Sequence, residues 1–228
     1  MLYDKVKQYG GVCMIRLGNT LILGDSYSTF QGYIPEGFVC YYFPEDPEHC
    51  RVVRAEQTWW HQLLTATDST LLQNHSYSGS TIGFTGYNGD DFKNISFIRR
   101  FETLYEQGYF EENRVDTLLV FGGTNDDWSG APEGQLMHEG WTEQDLYCAL
   151  PAIGYFFHRV REILPDARIC SIINTDMKPC IHEALIDSSR RNGVEVIPLS
   201  QIDKVNGHPS DTGMTQIKDQ ILAYLQTK

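Results

Sequence analysis

Of the 228 residues, 41% belong to the hydrophobic set and 20 are glycine, an apolar share typical of globular chains that excludes disorder, coiled coil and collagen. Eighteen Lys and Arg stand against 30 Asp and Glu, a formal net charge of −12. Such a chain repels phosphate backbones and anionic headgroups, and it shows no basic stripe, so neither nucleic acid nor membrane insertion is expected.

The length fits one α/β domain over residues 1–228 with loop insertions. Near the start, Val12 to Ile15 is a short apolar run, less than a signal peptide core needs, and no run reaches membrane-spanning length. As written the chain reads as cytoplasmic. Met14 offers an alternative start, and removal of a leader would make the protein secreted or periplasmic.

Residues 19–24 form an apolar run closed by glycine and aspartate, as in a strand buried on both faces. Similar runs predict strands over 70–73, 116–121, 167–173 and 194–197. Helical spacing predicts helices over 58–65, 95–105, 144–163, 179–191 and 215–225. In the last of these Ile217, Ile221, Leu222 and Leu225 share a face, and Ser210 or Asp211 is available to cap or turn the chain ahead of it. This alternation implies a parallel, doubly wound sheet.

Two stretches fit the rhythm poorly. Residues 30–54 hold three prolines and Tyr41-Tyr42-Phe43, and 126–143 are rich in Gly, Trp and acidic residues. Both follow strand ends and read as loop insertions over a site. Arg99-Arg100 and Arg190-Arg191 read as solvated helix faces, and Trp59-Trp60 as core anchors. The six cysteines (Cys13, Cys40, Cys50, Cys148, Cys170, Cys180) show no CxxC spacing and read as free thiols, with Cys40 and Cys50 close enough to staple a loop.

Four features after strand ends carry the chemistry. Gly24-Asp25-Ser26-Tyr27 places a serine at the carboxyl edge of the sheet, although the same composition serves as a strand-ending turn capped by Asp25 or Ser26. Ser78-Gly79-Ser80 lets backbone approach a substrate oxygen. Gly122-Gly123-Thr124-Asn125 ends in an amide able to donate into the same cleft; the alternatives are a glycine-rich turn or a phosphate cradle, but GxxxxGK[ST] and GxGxxG are both missing. In Asn206-Gly207-His208-Pro209 the proline holds the histidine extended.

In that order these residues resemble the blocks of the SGNH (GDSL-type) hydrolase family: Gly24-Asp25-Ser26, Gly79, Gly122-Gly123-Thr124-Asn125 and His208-Pro209. The resemblance spans about residue 18 to the C-terminus. It implies a flavodoxin-like three-layer α/β/α sandwich with a five-stranded parallel sheet, and hydrolysis of esters or thioesters without a cofactor. It also implies Ser26 as nucleophile, His208 as general base, and an oxyanion hole made of the Ser26 and Gly79 N–H groups and the Asn125 side chain. The family usually has an aspartate three residues before its histidine, and here that position is Val205. A working Ser26–His208 dyad is therefore expected. Asp203 is the candidate third member; Asp211 or a main-chain carbonyl are the other groups able to hold the Nδ1 proton.

Aromatic residues make up 12% of the chain, and Tyr27, Phe30, Tyr33, Tyr41, Tyr42, Tyr87 and Trp128 lie near the proposed site. Aromatic platforms suit sugar rings better than lipid tails, so the expected substrate is a small or carbohydrate ester bearing a short acyl group such as acetyl. Trp128 is expected to line the cleft, with Asp25 and Tyr27 also contacting substrate. His182-Glu183 does not continue as HExxH, and no carboxylate cluster has ligand spacing, so no metal is expected. The other six histidines read as structural or solvent-facing, and Asp126 and Asp127 as helix caps. The rival readings are a catalytically weak member that binds an acylated or carbohydrate ligand, and a lipid acyl or thioester hydrolase.

Overall fold

The computed structural model describes residues 15–45 and 50–228; Cys13, Met14 and His49 lie outside the described residues. Strands β1 (Asn19–Gly24), β2 (Thr70–Asn74), β3 (Thr117–Phe121), β4 (Arg168–Ile173) and β5 (Glu195–Pro198) pair in parallel in the order β2-β1-β3-β4-β5. The helices are α1 (Trp59–Ala66), α2 (Phe97–Glu106), α3 (Tyr109–Glu112), α4 (Thr124–Trp128), α5 (Ala149–Ile163), α6 (Pro179–Arg191) and α7 (Asp211–Leu225).

Strand side chains alternate between faces, and here both faces are apolar. Leu21, Leu23, Leu118, Val120 and Ile169 pack with Phe97 and Phe101 of α2, Phe156 and Phe157 of α5 and Leu185 of α6. Ile22, Leu119, Phe121, Cys170 and Ile172 pack on the other side with Trp59, Trp60 and Leu63 of α1 and Met214, Ile217 and Ile221 of α7. The result is the three-layer α/β/α sandwich, with Trp59 and Trp60 in its core. From β1 the chain goes to one side for β2 and returns past β1 for β3, so the loops after these strands diverge and open a crevice at the carboxyl edge.

The expected helix over 144–163 is two pieces: a 3-10 turn (Glu143–Tyr147), an extended Cys148, then α5 from Ala149. Pro151 explains the break, because proline fits the first turn of a helix, where its missing N–H costs nothing, but not the interior. The last helix starts earlier than its apolar stripe, at Asp211, because Ser210 caps it by accepting from the Gly213 N–H at 3.1 Å. Of the stretch 126–143, the first residues belong to α4 and the remainder turns toward α5. Its carbonyls at Pro132 and Glu133 accept from the Ala149 and Leu150 N–H groups at the start of α5, and Trp141 packs on Tyr155 and His158 of that helix.

Among the described residues all five cysteines are free thiols, so Cys40 and Cys50 form no staple. Cys40 donates to the Tyr42 carbonyl at 3.2 Å and Cys50 to that of Val205 at 3.7 Å. No helix among the described residues is long and apolar enough to cross a membrane.

Candidate active site

Beyond Gly24 the chain makes a 3-10 turn, Ser26–Ser28, whose N-cap is Asp25: its Oδ1 accepts from the Tyr27 N–H at 3.0 Å. The turn aims the Ser26 side chain off the sheet edge, and Ser26 N–H, the first amide of the turn, has no acceptor inside it. Ser26 Oγ lies 2.9 Å from His208 Nε2.

His208 arrives on a hairpin that sequence reasoning missed. Strands β6 (Lys204–Val205) and β7 (His208–Pro209) pair antiparallel around Asn206 (φ +50) and Gly207 (φ +80). Positive φ at both central residues is the type I′ turn, and Asn-Gly is its strongest sequence signal. The turn brings the Asn206 carbonyl to within 3.2 Å of His208 Nδ1. A carbonyl only accepts, so the contact fixes the proton on Nδ1 and leaves the Nε2 lone pair facing Ser26.

Aromatic side chains hold this hairpin in place. Tyr41 stacks on the imidazole with centroids 3.6 Å apart and planes 9° from parallel. Trp128 approaches edge-on at 5.9 Å and is 42% exposed. The Tyr27 hydroxyl donates to the Gly207 carbonyl, and the Tyr42 hydroxyl to that of Pro209 at 2.9 Å. Tyr41 and Tyr42 thus bring the loop after β1 against the His208 hairpin.

The other blocks are tied to the same edge. The Tyr77 N–H donates to the Gly24 carbonyl at 3.1 Å, and Gly79 (φ +84) sits in the ensuing turn with open space where a side chain would be. Asn125, 3% exposed in α4, donates from Nδ2 to the Ser80 carbonyl at 3.0 Å and accepts at Oδ1 from the Tyr87 hydroxyl at 2.6 Å. The carboxylate of its neighbour Asp126 accepts from the Ile82 and Gly83 N–H groups. Asp127 accepts from the Lys178 N–H at 3.1 Å, just ahead of α6. Among the described residues no three His, Cys, Asp or Glu side chains are grouped for a metal ion.

Three expected roles change. The Asp203 carboxylate accepts from Ser210 Oγ and lies 3.8 Å from the Arg51 guanidinium. It belongs to the start of α7 and not to the imidazole, because Ser210, not Asp203, heads that helix. Asp25 and Tyr27 are 1% and 0% exposed, so neither presents a surface to substrate; one caps the Ser26 turn and the other carries the histidine hairpin.

Arg100 is a fourth correction, 3% exposed and far from the solvated face expected of it. Its guanidinium donates to the carbonyls of Gly24 (3.1 Å), His75 and Ile95 (3.0 Å) and to Ser80 Oγ (3.0 Å), and it stacks on Phe97 at 4.6 Å. One cation therefore joins the Ser26 turn, the end of β2 and the Gly79 turn. Desolvation lowers its pKa to about 9, which keeps it charged at neutral pH. Its partner Arg99 instead pairs with Glu106 at the surface.

Burial raises the Asp25 carboxyl to about 7, against the opposing pull of its hydrogen bond from Tyr27 and of Arg100. A carboxyl raised on folding binds its proton more tightly in the folded chain. Its stabilising contribution is therefore complete below about pH 4 and is lost as pH rises toward 7. Between pH 4 and 7.5, urea unfolding is expected to show wild type losing on the order of 3 kcal/mol relative to Asp25→Asn. Parallel pH profiles for the two proteins would refute this.

A serine–imidazole pair, a glycine turn and an asparagine amide ordered on the strand ends of a flavodoxin-like sheet define the SGNH class of hydrolases. The chain belongs to the GDSL-like lipase/acylhydrolase family, whose profile matches residues 19–225. It is similar to the crystal structure of a protein from Bacteroides ovatus assigned as a GDSL-like lipase, with 35% identity over 92% of this chain and 99% of that one and a TM-score of 0.86. A second such protein, from Bacteroides uniformis, is 38% identical over 92% and 97% of the two chains, with a TM-score of 0.85. The fold is shared at 18% identity and a TM-score of 0.57 with an acetyl xylan esterase from Butyrivibrio proteoclasticus, over 93% of this chain and 64% of that one. Among curated proteins none matches.

Proposed function

We propose that this chain is a serine esterase that removes short acyl groups, acetyl foremost, from a carbohydrate or other small ester. The observation that carries the reading is the 2.9 Å contact between Ser26 Oγ and His208 Nε2, with Nδ1 held by the Asn206 carbonyl. Ser26 Oγ attacks the acyl carbonyl as Nε2 takes its proton. The oxyanion is met by the Ser26 and Gly79 N–H groups and an Asn125 Nδ2–H. Collapse expels the alcohol, which receives the proton from His208, and leaves an acyl-Ser26. Water, deprotonated by the same imidazole, attacks the acyl group, and the carboxylic acid departs as Ser26 recovers its proton.

The Asn206 carbonyl supplies the tautomer control for which the family commonly uses aspartate. It brings no negative charge to the imidazolium, so it orients more than it stabilises. The carbohydrate reading rests on Trp128, exposed beside the imidazole, and on the exposed Tyr33 and Phe43 of the loop that carries Tyr41. Such faces stack on sugar rings, in keeping with the carbohydrate esterases among proteins of this fold.

The test is a series of 4-nitrophenyl acetate, butyrate and octanoate, with an organophosphonate as active-site label. Turnover falling with acyl length and a phosphonate adduct on Ser26 are expected. A rate that rises with length assigns a lipid-type acyl hydrolase instead. No turnover and no adduct would overturn the enzyme reading in favour of a binding protein.

A further inference from the structure

We propose that Tyr87 is a positioning residue that sets the Asn125 amide for oxyanion binding; this rests on the oxyanion role given to Asn125 above. The amide has one arrangement compatible with its neighbours. The Ser80 carbonyl, 3.0 Å away, only accepts, so Nδ2 must face it and Oδ1 must face Tyr87. The 2.6 Å contact to Oδ1 is then a donation from the phenol. Burial pushes that phenol up to about 12, which keeps the donated proton in place.

Two consequences follow from the chemistry of a primary amide. It carries two N–H bonds; one is used on Ser80, and among the described residues the other has no acceptor, which leaves it for an incoming oxyanion. A hydrogen bond accepted at Oδ1 also polarises the amide and strengthens its N–H donors. With Oδ1 and one N–H both held, the amide cannot turn its oxygen toward the developing negative charge.

The loop that presents Tyr87 is closely tied. It is a 3-10 turn, Tyr87–Gly89, closed by the Gly86 N–H on the Asp90 carbonyl at 2.8 Å and by a bridge between Thr85 and Asp91. The Tyr87 ring lies 6.4 Å from that of Phe92. The phenol is therefore placed by the loop and not by a flexible tether.

The experiment is a double-mutant cycle on 4-nitrophenyl acetate hydrolysis by Tyr87→Phe, Asn125→Ala and the double variant. Tyr87→Phe leaves a buried acceptor unpaired and is expected to lower kcat about tenfold with KM within about twofold. Asn125→Ala is expected to lower kcat about 10²- to 10³-fold. The double variant is expected to be no slower than Asn125→Ala, because the phenol has no role once the amide is gone. A role in holding the loop alone would make the two losses multiply, and that result overturns the proposal. So does a Tyr87→Phe enzyme with wild-type kcat. If Asn125→Ala itself retains wild-type kcat, the oxyanion assignment fails first and takes this inference with it. The circular dichroism spectrum of Tyr87→Phe is expected to match wild type, with the thermal midpoint lowered by no more than a few degrees for the one stranded acceptor.

Discussion

Replacing Ser26 by alanine is expected to lower kcat/KM for 4-nitrophenyl acetate by a factor of about 10⁴ to 10⁶, and His208→Ala by a similar factor. The two side chains act as one unit across their 2.9 Å contact. Without the imidazole the hydroxyl stays protonated, and without the hydroxyl the imidazole has no nucleophile to activate. The double variant should therefore be no slower than either single one. A residual acceleration of about 10³ over water is expected from the oxyanion donors alone. Steady-state kinetics of the three variants decides the matter, and a Ser26→Ala protein with wild-type turnover would sink the nucleophile assignment.

Arg100→Met is expected to destabilise the fold by about 3 to 5 kcal/mol, the range for removing one partner from a buried charged network. Methionine fills much of the volume but leaves the carbonyls of His75 and Ile95 without their donor and that of Gly24 with the Tyr77 N–H alone. Buried acceptors stranded in this way cost about 1 to 3 kcal/mol each, partly relieved by relaxation. Arg100→Lys should lose less, because an ammonium can still donate, though not from both ends of a planar fork. Urea unfolding measures the loss. Turnover of the folded fraction should also drop, since Gly24 O and Ser80 Oγ sit beside the nucleophile and oxyanion turns. An Arg100→Met midpoint equal to wild type would show that the guanidinium is not the brace described here.

The parallel sheet was legible because its strands are continuous apolar runs broken by polar turns, and that pattern survives in one dimension. The four site blocks were legible for a related reason: in a doubly wound sheet, residues just after successive strands meet at one edge whatever separates them in sequence. The His208 hairpin was not found, although Asn206-Gly207 announces it, because two-residue strands are too short to show any period. Arg100 was misread for want of local evidence. Its helix has the spacing of a half-exposed one, and only the packing of α2 beneath the strand ends turns this guanidinium inward. Asp203 drew attention through its nearness in sequence to His208, and a tight turn separates such neighbours in space.

The sequence by itself determined the layers, the strand order's doubly wound character and the identities of Ser26, Gly79, Asn125 and His208 as the residues at the edge. Hydrophobic periodicity and turn chemistry are local properties, and they settle which segments become strands and where the chain leaves them. The tertiary structure decided what holds those four residues in register. The Asn206 carbonyl stands at Nδ1, Tyr87 at the Asn125 oxygen and Arg100 beneath three loops. Each of these contacts, apart from the one within the hairpin, joins residues at least 20 positions apart. Whether a polar side chain there meets a partner or water depends on how helices and loops pack, which no local pattern encodes.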